Sequence, residues 1–351
     1  MQPQAPCTKQ QGREARLRKD GVVRATFPYI AVTLVTLLAV ALGWGPLMSR
    51  NTLILAHNLD TRHPVHLGMQ AFADSVREKS GGRIQIKLYP NGQLGTEREV
   101  LEQLQIGAVA FTKVSSLSLE SFAPLYGALN APHIFADEDH AYRVLDGPVG
   151  ERLKVCSLDK KFRGLTFYSS GARSFYADRA ILDPSDLSGL KIRVMGSQTA
   201  LRMTELLGGS PAPMPYGEVY TGLQQKVIDG AENNITALTV SRHGEVAKHY
   251  SADEHIIAPD VLLVSTEVWD HLSDADRRIL EAAAEESKEL QRQYWAEALE
   301  EHTRIATEEL GVTIHQPRKE RFLEAVRPLH EELKLKSGEM KTTLEEIAEQ
   351  R

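Results

Sequence analysis

From Ser273 to Leu310 the chain keeps a helical pattern for nearly forty residues, opened by a Ser-x-x-Asp capping signal (Ser273, Asp276) and closed by Gly311. At 1.5 Å per residue such a helix runs about 55 Å, more than the depth of one small domain. It is expected to pack across two, and 351 residues are enough to build two.

The segments before it alternate in period. Thr52–His57 is a short apolar strand. His63-Pro64 opens a helix with Val65, Met69, Phe72 and Val76 on one face, and Gly81-Gly82 ends it. Arg83–Tyr89 alternates strictly, and Pro90-Asn91-Gly92 turns the chain. Thr96–Ile106 reads as a helix and Ala108–Lys113 as a strand. Helix signals follow at Asp139–Leu145, and a strand at Gly164–Tyr168. This order predicts an α/β fold with a substantially parallel sheet. A second unit starts near Gly171. It has a strand carrying Leu190, Ile192 and Val194, a helix at Ser197–Leu207, and a linker stiffened by Pro211, Pro213 and Pro215. A helix with Tyr216, Tyr220, Leu223 and Val227 on one face comes next, then an apolar strand at Ile256–Ser265.

The amino terminus has a different logic. Six basic side chains and two acidic ones stand before residue 42, and no charge falls between Arg24 and Arg50. The apolar run Ile30–Leu42 after a basic stretch reads as a secretory signal over residues 1–41, with Ala39-Val40-Ala41 as a cleavage site. The run is short for a spanning helix, though with its flanks it would serve as a signal anchor. The net charge of −6 gives no global basic field for nucleic acid, and two cysteines, Cys7 and Cys156, make neither a disulfide framework nor a thiolate metal site.

Three polar side chains fall where strands end. Arg173 follows the strand Gly164–Tyr168, Arg193 lies opposite the apolar face of its strand, and Asn233 follows Asp229-Gly230. Ligands of open α/β sheets sit at such ends. Two guanidiniums would grip a carboxylate, and an amide would serve a hydroxyl. On spacing alone each arginine reads first as a solvated or salt-bridged surface residue, and spacing does not carry the ligand role. His63 and His66 stand three apart, but two histidines are not a metal site, and no metal or cofactor is expected.

The stretch Asp186–Asn234 combines DLSGLKIRV, MPYGEVY and DGAENN at fixed offsets, and closely resembles the substrate-binding subunits of tripartite ATP-independent periplasmic (TRAP) transporters. YPNGQLGTEREVLEQLQIG (Tyr89–Gly107) and WDHLSDADRRILEAAAEES (Trp269–Ser287) extend the resemblance over Thr52 to about Gly311. It implies two α/β lobes of the periplasmic-binding-protein kind, joined by crossing hinge strands and braced by the long helix. The lobes would comprise residues 52–170 with 259–298, and 171–258 with 299–351. It also implies Arg193 as the main carboxylate clamp, Arg173 as a second arginine, Asn233 as an amide contact and Tyr216 as an aromatic wall. His57 and Glu97 are carried over as further contacts. Beside those roles stand a satisfied histidine at a strand end and a carboxylate favouring a helix N-terminus.

The expected function is a periplasmic solute-binding protein, a monomer without catalysis, that captures an organic acid and delivers it to TRAP membrane permease subunits. GARSFY, MPYGEVY, DGAENN and DEH resemble the sugar-acid branch and imply a hexuronate such as glucuronate or galacturonate, with Glu254 and His255 as further candidate contacts. An enzyme that holds an acid substrate and a membrane-tethered sensing lobe are the alternatives.

Overall fold

The computed structural model describes residues 51–351, so the signal segment and Cys7 lie outside the described residues. Two mixed sheets organise the chain. The first has the order β2-β1-β3-β10-β4, with β1 Asn51–Ala56, β2 Ile84–Tyr89, β3 Phe111–Ser115, β4 Phe162–Tyr168 and β10 Asp260–Ser265. The second has the order β11-β9-β5-β8-β6-β7. Its strands are β5 Ala172–Ala177, β6 Lys191–Val194, β7 Ser210–Pro213, β8 Gly230–Asn233, β9 His249–Ile257 and β11 Thr313–His315.

Local chemistry sets the helices that matter to the site. Helix α1 (Pro64–Lys79) starts with proline at N1, and the His63 ring accepts from the Val65 amide. Helix α2 (Glu97–Gln105) is fixed by a reciprocal capping box between Thr96 and Glu99. The helices α3 (Glu138–Asp146), α4 (Pro148–Val155), α5 (Gln198–Leu206) and α6 (Val219–Gln224) follow. Asp137 caps α3 through the His140 amide.

Several expectations are corrected. The sheets are less parallel than predicted: β10 runs antiparallel to both β3 and β4, and β5 antiparallel to β8 and β9. Neither strand arrives through a βαβ crossover, so the handed parallel connection does not apply to it. The proline-rich linker is the edge strand β7, parallel to β6. An edge position tolerates prolines because one row of its amides needs no partner. The single strand expected at Ile256–Ser265 is two strands, β9 and β10, which cross from one sheet to the other at Ala258-Pro259. The helix expected from Tyr216 begins as a 3₁₀ turn, and Val227 stands outside it, exposed.

The long helix α7 (Asp274–Arg304) spans about 46 Å and continues through a π-helical turn to Gly311. It braces both lobes. Near its middle the Gln291 side chain bonds both the amide and the carbonyl of Ser169, each at 2.8 Å. Tyr168 meets Ser287 at 2.8 Å. Trp295 lies so close to Gly171 that a Cβ there would come within 2.5 Å of its ring, and Gly171 has φ +65°, so glycine is required on both counts. Beyond Trp295, His302 reaches Thr239 and Ala306 joins the second lobe's core. The helix therefore grips the crossing segment Ser169–Gly171 from outside. Helix α8 (Lys319–Lys334) packs on β9 and α5. Helix α9 (Gly338–Glu349) returns to the first lobe, where His140 and Arg152 bond Ile347 and Thr343. The division that places all of 299–351 in the second lobe does not hold for this last helix.

Candidate ligand site

The ends of β1 and β3 in the first sheet face the ends of β6 and β8 in the second across a cleft. An outer chamber of about 530 Å³ opens between α2, the end of β6 and the loop Pro213–Glu218. An inner chamber of about 40 Å³ lies against the crossing strands. Asn58, Glu97, Met195 and Tyr216 line both, so the two are one continuous site. Its size is that of a small-molecule pocket.

Arg193 is brought to the outer chamber by β6, whose Ile192 and Val194 are buried in the core on the alternate face. Its side chain is 1% exposed. Nε and one terminal nitrogen donate to the Met214 carbonyl at 2.9 and 2.8 Å, while the other terminal nitrogen is buried with no partner among the described residues. The guanidinium lies 5.8 Å from the centre of the Tyr216 ring, inside cation–π range. Burial lowers its pKa, because no anion is paired with it to offset the desolvation.

Arg173 is different. It lines the inner chamber, but its fork is taken by Glu232: Nε donates to Oε2 at 2.6 Å and a terminal nitrogen to Oε1 at 3.0 Å and to the backbone carbonyl at 2.8 Å. Burial works against both charges, yet the pairing outweighs it. It raises the Arg173 pKa and lowers that of Glu232 to about 2. The other Arg173 terminal nitrogen donates to Asn233 Oδ1 at 2.8 Å, leaving one N–H of the five uncommitted. Asn233 Oδ1 also accepts from the Asn234 amide at 2.9 Å. Two donors on one atom identify it as the oxygen, so the Asn233 Nδ2 is the donor presented to the inner chamber.

The first-sheet wall carries the opposite chemistry. Lys113 is 3% exposed and donates to Glu97 Oε1 at 2.9 Å and Asp260 Oδ1 at 3.2 Å. Burial opposes its charge, but Asp260 and Glu97 raise its pKa to about 12. Glu97 also accepts from Ser118 Oγ at 2.8 Å and stands in both chambers. Asn58 Oδ1 is buried without a partner among the described residues.

Of the residues expected from sequence, Arg173, Arg193, Asn233, Tyr216 and Glu97 are brought together around this cleft. His57 is not. Its Nδ1 accepts from the Leu59 amide at 3.1 Å, its Nε2 meets His66 at 3.0 Å, and burial holds it neutral. The neighbouring Asn58 turns to the cavity instead. His63 spends its ring on the Val65 amide and on Thr236 Oγ1 at 3.0 Å across the lobes. Glu254 is exposed and paired with Lys319. His255 is buried behind Glu232, bonded to Asp253 at 2.7 Å. Neither lines the cleft. Sequence reasoning passed over Lys113 and Asp260, though each is a lone charge within an apolar strand, a placement that demands a partner. It also passed over Glu232, which sits inside the quoted DGAENN.

The description "bacterial extracellular solute-binding protein, family 7" belongs to the family whose model matches residues 55–337. The protein YiiZ of Salmonella typhimurium, itself uncharacterised, is 43% identical over 279 residues, 79% of this chain and 85% of its own. A TRAP periplasmic solute-binding protein of Anaerococcus prevotii, solved with bound D-glucuronate, is 36% identical with TM-score 0.83, over 85% of this chain and 97% of its own. One from Xanthobacter autotrophicus, solved with β-D-galacturonate, is 37% identical with TM-score 0.81, over 84% and 99%. The chain belongs to this family of solute-binding proteins, and its two-lobed α/β fold is theirs.

Proposed function

We propose that the protein is the exported receptor of a TRAP transporter, that its ligand is a hexuronate, and that Arg193 is the group that holds the carboxylate. One observation carries the reading: a fully buried guanidinium with no carboxylate and an unpartnered terminal nitrogen opens on the cleft. A ligand carboxylate supplies the missing anion, each charge-assisted hydrogen bond contributing about 1.5–3 kcal/mol. The Asn58 amide, the Asn233 Nδ2 and Glu97 are then available to hydroxyls. The bound uronates of the Anaerococcus and Xanthobacter proteins support the same class.

The role is capture and delivery to membrane permease subunits, without turnover. The signal is expected to be removed near Leu42, which mass spectrometry of protein from the native host checks. Among the described residues no helix is long and apolar enough to cross a membrane. The test of the ligand is a thermal-shift screen of glucuronate, galacturonate, hexonates, succinate, malate, 2-oxoacids and sialic acid, since a ligand that binds the native state raises its Tm. Glucuronate or galacturonate should give the largest shift. Saturable binding of succinate or a 2-oxoacid, with no response to any sugar acid, would overturn the hexuronate reading.

A further inference from the structure

The two walls of the cleft carry opposite charge. On the second-sheet wall Arg193 is a cation without a counter-ion. On the first-sheet wall Lys113 is shared by two carboxylates, Glu97 and Asp260; burial raises the Asp260 pKa, and with both ionised the cluster carries one negative charge in excess. Arg173, also on the second-sheet wall, is neutralised by Glu232. Glu97 and Asp260 side chains are 9% and 7% exposed, so their charge is poorly screened by water. Both line the inner chamber, and no guanidinium or ammonium other than Lys113 lies within ion-pair distance of either among the described residues.

We infer that Glu97 and Asp260 make this a receptor for monoanionic sugar acids that rejects the corresponding diacids. The inference rests on Arg193 holding one carboxylate. Once that is in place, the far end of the ligand meets an acceptor-rich, negative wall. A hydroxyl or hemiacetal O–H donates to Glu97 there. A second carboxylate has no proton to donate and meets a like charge in a water-poor site, where such juxtapositions are strongly disfavoured. A cyclic uronate and the open-chain aldarate with the same carbon skeleton differ in shape as well as at that end, so it is the change in their ratio when the wall's charge is removed that reads the wall.

Calorimetry with galacturonate and galactarate at pH 7 tests this. The wild-type protein should prefer galacturonate by at least about a hundredfold, the scale of a like-charge penalty. Glu97→Gln keeps the side chain's shape and its acceptor for Lys113 while removing the charge, and should narrow that ratio at least tenfold. Asp260→Asn should narrow it in the same direction, which protects the test if one variant folds poorly; an unchanged Tm identifies the usable one. Equal binding of both ligands by the wild type, or a ratio unmoved in folded Glu97→Gln and Asp260→Asn, would overturn charge selection and leave the sugar-acid reading standing. Binding of neither would overturn the hexuronate reading and this inference with it.

Discussion

The first-sheet wall of the cleft sets two carboxylates about one ammonium, whereas the second-sheet wall locks one guanidinium to one carboxylate and leaves a second guanidinium without an anion. Each wall therefore carries one charge that its own residues do not neutralise. The same contrast separates the two arginines. Arg173 is a framework residue, locked by Glu232 and in turn fixing the Asn233 amide. Arg193 is held only by a backbone carbonyl and is orientated without being neutralised. A buried cation thus fixed is pre-organised for an anion from outside, because its desolvation is already complete before the ligand arrives.

Removing Glu232 should break this contrast most severely. Glu232→Ala leaves Arg173 buried without its partner, turns the second wall doubly positive, and is expected to cost about 3–5 kcal/mol of stability. Urea denaturation reads the loss. An unchanged midpoint would mean that Arg173 is not anchored as described.

Arg193→Ala should instead leave the fold nearly intact and cost about 2–5 kcal/mol of ligand affinity, since the ligand carboxylate would be buried unpaired. Arg193→Lys should recover little, because the ammonium lacks the planar fork. Wild-type affinity in either variant, measured by calorimetry, would remove Arg193 from the clamp.

Two histidines sharpen the comparison through pH. Burial is the largest influence on His63 and lowers its pKa from 6.5 to about 3. Burial also acts on His255, but Asp253 and Glu232 raise its pKa from 6.5 to about 9. The unfolded chain takes up a proton at His63 as pH falls below about 6.5 while the native site refuses it, so that contribution weakens toward pH 3. His255 contributes fully below pH 6.5, and its share is lost as pH rises through about 9. The contributions of these two histidines alone sum to a maximum near pH 6.5. His255→Gln should flatten the alkaline limb alone, and His63→Gln the acid limb alone. Melting curves across pH 4–10 check both, and an alkaline limb unchanged in His255→Gln would count against its charge.

The class of fold was legible because it depends on periodicity and length. The alternating Ile84, Ile86 and Leu88 and the long run after Ser273 each have one structural solution that buries their apolar face. What periodicity does not carry is which sheet a strand joins. The run Ile256–Ser265 reads as one strand because Ala258-Pro259, where it changes sheets, is as apolar as its neighbours. The arginines and Asn233 were found through a motif, but a motif does not say that Glu232, one residue away, occupies the Arg173 fork. Asp260 and Glu97 stand 147 and 16 residues from Lys113 along the chain, and only the folded sheet brings the three together. His57 failed for a local reason. At the end of β1 its ring is captured by His66 and the Leu59 amide, and the next residue faces the cleft.

The smallest effect is expected at Tyr216, where ring and hydroxyl do different work. The ring lines both chambers and stands beside the Arg193 guanidinium. The hydroxyl points away, to Ser241 at 2.6 Å. If the ring alone serves the site, Tyr216→Phe removes a hydrogen bond outside the cleft and should change ligand affinity by less than about 1 kcal/mol. Tyr216→Ala removes the aromatic face and opens Arg193 to water. It should cost more, on the order of 1–2 kcal/mol, from the lost cation–π contact and the better-solvated guanidinium. Titration of both variants with the same uronate separates the two roles. A Tyr216→Phe loss as large as that of Tyr216→Ala would mean that the hydroxyl turns from Ser241 to the ligand on binding, and that Tyr216 belongs with the polar contacts of the second wall.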